Sequence, residues 1–144
     1  MLQACTKNNS VPVTIVEPGI VNLLFPFENS LCNVGTDSTD TESNVAFEWS
    51  AAENTDEYEF NLKNLITGDS IYQLTSELKI SLRILRSVPF EWYVVSKSNK
   101  SGKTAKSATW KFYNAGMAIE NYAPFPAEIV SPKMAETIIT AANE

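Results

Sequence analysis

The chain has 144 residues, 44% of them hydrophobic and 19% charged, which suits one well-buried globular domain with some length to spare. A net charge of −6 argues against binding nucleic acid or an anionic membrane through a basic surface. The absence of histidine removes His-based general bases, Ser-His and Cys-His nucleophile pairs and most zinc, copper and iron sites, and two cysteines are too few for a disulfide framework.

At the amino end, Leu2-Gln3-Ala4-Cys5 places an apolar residue at −3 and a small one at −1 before a cysteine. It resembles the lipobox of bacterial lipoproteins. The resemblance implies that Cys5 carries acyl chains and that residues 1–19, with the polar run Thr6 to Ser10, form a flexible tether. A Cys5–Cys32 disulfide would require Cys5 to be free of lipid. Cys32 itself reads as a small buried apolar residue with a free thiol.

Val13 to Val16 is a short extended piece ended by Pro18-Gly19. Val21 to Pro26 is the first convincing strand, with Pro26 suited to its end because proline cannot donate to a ladder. Asn33 to Asn44 is polar after Val34 and reads as an exposed, solvated loop. Val45 to Trp49 and Tyr58 to Leu62 alternate large apolar residues with polar ones, the period of a strand with one face in a core. Ile71 to Leu74 follows the turn at Thr67-Gly68-Asp69. Leu78 to Leu85 alternates through Leu78, Ile80 and Leu82 and breaks at Arg86-Ser87. Phe90 to Val95 is the most strictly alternating stretch of all. Asn99 to Gly102 makes a hairpin turn, and Ala108 to Phe112 closes the set. Seven short strands without helical periodicity between them predict an all-β, two-sheet sandwich of about seven antiparallel strands.

The series Val45-x-Phe47-x-Trp49, Tyr58-x-Phe60-x-Leu62, Phe90-x-Trp92-x-Val94 and Trp110-x-Phe112 resembles an immunoglobulin-like fibronectin type III domain. The likeness is strongest to the variety found in surface lipoproteins of Bacteroidetes-like bacteria. It covers residues 20–114. It implies a core of Phe47, Trp49, Tyr58, Phe60, Phe90, Trp92, Val94, Trp110 and Phe112, with Trp92 and Trp110 covering Trp49 from the opposite sheet. Phe90 stands where that family usually has tyrosine, so a corner hydrogen bond is missing. Residues 115–127, with Asn121 to Pro126, read as a stiff proline-rich linker. In residues 128–144, Ile129-Val130-Ser131-Pro132-Lys133 repeats the form of Leu23 to Phe27. That stretch is either the start of a second similar domain or a last strand or helix of the first.

Three groups of residues carry candidate chemistry. Asp37, Asp40 and Glu42 are oxygen-rich, but without the glycine and terminal glutamate of a calcium loop they read as a solvated acidic loop. Glu48, Glu57, Glu59 and Glu91 face outward; the last three share a sheet face, with Lys111 as a partner, and read as a charged solvent face rather than a hydrolytic pair. Tyr72, Tyr93 and Tyr113 are the candidate binding surface, since exposed rings stack on sugars or partner proteins. No catalytic residue, metal or cofactor is expected. Together with the resemblance, the sequence predicts a non-catalytic spacer or binding module of a bacterial cell-surface lipoprotein. It would be held at the envelope by lipid on Cys5, with a surface protein or glycan as partner. The alternatives are a carbohydrate-binding or adhesion domain, or an accessory domain of an extracellular enzyme.

Overall fold

The computed structural model describes residues 11, 12 and 14–117, so Cys5, the carboxyl-terminal part of the linker and residues 128–144 lie outside the described residues. The alternating stretches become the central strands β3 (Glu42–Trp49), β4 (Glu57–Asn64) and β7 (Val88–Lys97). In β3 and β4, and in β7 from Phe90 onward, every second residue is buried and its neighbour is not, because successive side chains point to opposite faces of a sheet. Around them lie β1 (Leu23–Phe25), β2 (Ser30–Asn33), β5 (Ser70–Thr75), β6 (Lys79–Leu85), β8 (Thr104–Lys106) and β9 (Trp110–Asn114).

The strands form two sheets. The smaller has the order β1-β3-β6; the larger runs β2-β9-β7-β4-β5, with β8 also paired to β7. Every pairing is antiparallel except β2 with β9, which is parallel. The described residues therefore hold nine strands, not seven. The two additions, β2 and β8, are short and lack an apolar stripe. Residues 14–16 are not in a strand, and the predicted loop Asn33 to Asn44 is shorter than expected, since β3 already begins at Glu42. Gly35 permits this compaction: a Cβ there would lie 2.5 Å from Asn44 O and from Ser43 Oγ.

The core lies between the sheets. Phe47, fully buried, projects from the smaller sheet onto Phe60, Trp92 and Phe112 of the larger one, with ring centroids at 4.8, 5.3 and 5.7 Å. Offset and edge-on contacts at these distances suit the ring quadrupoles. Trp49, Tyr58, Phe90 and Val94 are buried as expected, but Trp110 is only half-buried. The packing around Trp49 also differs from the expectation. It stacks on Phe60 at 6.1 Å and meets Tyr58 at 6.0 Å, whereas Trp92 and Trp110 meet each other. Trp49 lies in the last row of β3, opposite Leu23 of β1, whereas Trp92 pairs with Leu62 further along the larger sheet.

A buried polar contact joins the two sheets at one end. Asn114 Nδ2 donates to Ser43 Oγ at 3.0 Å and to Leu85 O at 2.8 Å, and both side chains are almost fully enclosed. The chain leaves the sandwich there, where Arg86 Nε donates to Ala115 O and its Nη2 to Gly116 O. It enters at the other end, where Gly19 N donates to Glu53 O and Asn54 Nδ2 to Glu17 O.

Candidate functional site

Register on the larger sheet decides which outward residues meet. Asn61 of β4 is opposite Tyr72 of β5 on one side and Tyr93 of β7 on the other, so these three form a single row across three strands. Adjacent strands lie about 4.8 Å apart, which puts the two tyrosine positions about 10 Å from each other. Tyr72, on an edge strand, is 74% exposed. Tyr93 is half-buried, and Lys106 of β8 holds its ammonium 3.8 Å from the centre of the ring. Tyr113 does not join the row. It lies opposite Pro89, near the exit end, in an apolar depression with Leu31 and Leu65.

Glu57, Glu59 and Glu91 all point outward on this face, with Glu48 on the smaller sheet, and two of the three, Glu59 and Glu91, have structural partners. Glu59 Oε2 meets Lys97 Nζ at 2.5 Å, and Glu59 Oε1 accepts from Asn61 Nδ2 at 3.2 Å. The hydrogen bond from Lys97, then that from Asn61, holds the Glu59 carboxyl below its ordinary range despite the opposing effect of burial. A hydrolytic general acid needs the reverse, a carboxyl pushed upward. Glu91 pairs with Lys63 at 3.7 Å, not with Lys111, although Lys111 is its cross-strand neighbour.

The acidic loop is not simply solvated. Arg83 Nε pairs with Glu42 at 2.9 Å, Arg86 Nη1 donates to Thr39 O at 2.8 Å, and Asp37 accepts from Asn44 at 3.2 Å. Two of its three carboxylates, Asp37 and Glu42, are thus held by an amide and an arginine, while Asp40 is exposed with no partner among the described residues. Among the described residues no group of three or more acidic or cysteine side chains could hold a metal ion. Cys32 is a further correction: its thiol is exposed, because β2 is a short outer strand paired only with β9.

Sequence reasoning identified Tyr72 and Tyr93 but gave no reason to join them, and it missed Lys106. Lys106 reaches Tyr93 because β8 pairs with β7 through Val95↔Lys106, and the chain then breaks at Ser107 before β9 begins. Ser107 bridges that break: its hydroxyl accepts from Val94 N and donates to Ala108 O. A second feature with no sequence signal is the slot of about 190 Å³ between β5 and β6. Leu62, Ile71, Ile84 and Phe90 line it, with Asp69 and Arg83 also on its wall. Compared with models of known protein families and with characterised proteins, the sequence matches none.

Proposed function

We propose that this chain is a non-catalytic spacer and binding module of a bacterial cell-surface lipoprotein, built on a fibronectin type III-like sandwich and tethered through lipid on Cys5. The observation that carries the reading is the path of the chain. It enters beside Glu53 and leaves beside Arg86, at opposite ends of β3 and β4. Eight extended residues span about 26 Å, so a domain threaded this way keeps the segments on its two sides a set distance apart. Two further observations support the family reading. Without the short strands β2 and β8, three strands face four. Phe90 stacks on Phe112 at 5.7 Å, so ring packing fills the corner where that family has a tyrosine hydroxyl.

One acyl chain binds membranes only marginally, and two or more hold a protein stably. Lipoprotein processing at Cys5 supplies that number. Expressed from its complete gene in its own bacterium, the protein should partition into detergent and incorporate labelled fatty acid. Cys5→Ser should abolish both and leave the melting temperature unchanged. Wild-type protein that stays in the aqueous phase would overturn the anchor and leave a secreted or periplasmic protein.

A further inference from the structure

We propose that the outward face of the larger sheet, centred on Tyr93 and flanked by Lys106 and Lys111, binds an acidic carbohydrate chain, one built of uronic acid units. The proposal deepens the binding-module reading and rests on it, but not on the lipid anchor.

The charge balance of the face points to an anion. Lys97 is taken up by Glu59 and Lys63 by Glu91, while Lys106 and Lys111 have no carboxylate within ion-pair distance among the described residues. These two flank Tyr93: Lys106 is opposite Val95, two residues on, and Lys111 is opposite Glu91, two residues back. Glu57, opposite Lys97, is the third carboxylate, so the outward strand positions hold four lysines against three carboxylates. On a chain of net charge −6 this local surplus, gathered at Lys106 and Lys111, would select a negatively charged ligand and reject most of the protein's own surface. Lys106 now rests over the Tyr93 ring, an exposed cation–π contact that a carboxylate can compete away.

The rest of the row points to a sugar rather than an acidic protein. Tyr72 and Tyr93 place two rings about 10 Å apart in one row of the sheet, a spacing that spans two sugar units and suits alternate rings of a chain. Asn61 lies between them. Its Nδ2 is bound to Glu59 O and Oε1, both at 3.2 Å, so its Oδ1 is left as a fixed acceptor for a hydroxyl. A protein partner would want a buried apolar anchor, and this row has none.

The test is affinity electrophoresis of the full chain through gels containing polygalacturonate, neutral galactan or poly-glutamate. Polygalacturonate should retard the wild type, and neutral galactan should not. Lys106→Gln/Lys111→Gln should weaken that retardation at least tenfold, and Tyr72→Ala severalfold. All of these side chains are exposed, so the melting temperatures should stay within a degree or two of wild type. Three outcomes would overturn the proposal. They are no retardation by polygalacturonate, retardation that these variants leave unchanged, and equal retardation by poly-glutamate, which would mean that the face reads charge alone and suits an acidic protein. None of these bears on detergent partitioning, so the anchor and the binding face stand or fall separately.

Discussion

Replacing Phe47 with alanine tests the whole arrangement of the core. Phe47 is fully buried and is the one ring of the smaller sheet that touches three rings of the larger. Its loss removes apolar burial and leaves a cavity where the two sheets meet, a combination that costs about 3–5 kcal/mol. Each lost ring contact adds about 0.5–1.5 kcal/mol beyond area alone, which favours the upper end. For a domain of this size each kcal/mol lowers Tm by about 4–8 °C, so Phe47→Ala should melt at least about 12 °C below wild type. Total stability is only about 5–15 kcal/mol, so the variant should be marginal at 37 °C. Trp110→Ala is the internal control. Trp110 is a larger residue, but it is half-buried and meets only Trp92 among the rings, edge-on at 6.3 Å. Calorimetry and urea titration of both variants would decide the matter. If Trp110→Ala costs as much as Phe47→Ala, the sheets do not pack around Phe47 and the core has been assigned to the wrong row.

Three further outcomes are expected. Because the folded pKa of Glu59 lies below its unfolded value, the Lys97 pair stabilises at pH above that unfolded value, and the benefit is lost as pH falls through the folded one. Lys97→Met should therefore be weaker than wild type by no more than about 1 kcal/mol at pH 7, the gap closing in acid; a gap that persists at pH 2 would sink this account. Gly35→Ala should cost about 1–3 kcal/mol in urea titration, because its Cβ would press on Asn44 and Ser43; a neutral variant would mean that the close approach is not there. In a Cys5→Ser background, Cys32 should react with maleimide in the folded protein as fast as in urea, and strong protection of the thiol would return it to the core.

What could be read from residues alone was what repeats every two positions. Phe47, Phe60 and Trp92 announce their strands and their faces because burial on one side forces the alternation. Strands without that burial leave no such trace. Ser30–Asn33 and Thr104–Lys106 are strands because a neighbour pairs with their backbone, and their side chains say nothing about it. Cys32 was misplaced for the same reason: residue type favours the interior, but its position on an outer strand decides otherwise. The candidate face was half legible. Tyr72 and Tyr93 stand out as rings at outward positions, yet their alignment through Asn61 depends on register, and Lys106 depends on the break at Ser107. Long-range polar contacts such as Asn114 with Ser43, or Arg86 with Thr39, join residues too far apart in sequence to have been paired beforehand.

The parallel pairing of β2 with β9 has a mechanical consequence. Once the short β1 has come away from β3, a pull on the two ends of the domain tugs β2 from its amino end and β9 from its carboxyl end, in opposite directions along strands that run the same way. The bonds between them, including Asn29 N to Lys111 O at 2.7 Å and Ala115 N to Asn33 O at 2.8 Å, lie across the line of force. They are sheared together instead of being unzipped one at a time. Resistance to stretching is set by the barrier to that rupture rather than by equilibrium stability, so a domain of ordinary melting temperature built this way would yield late under tension.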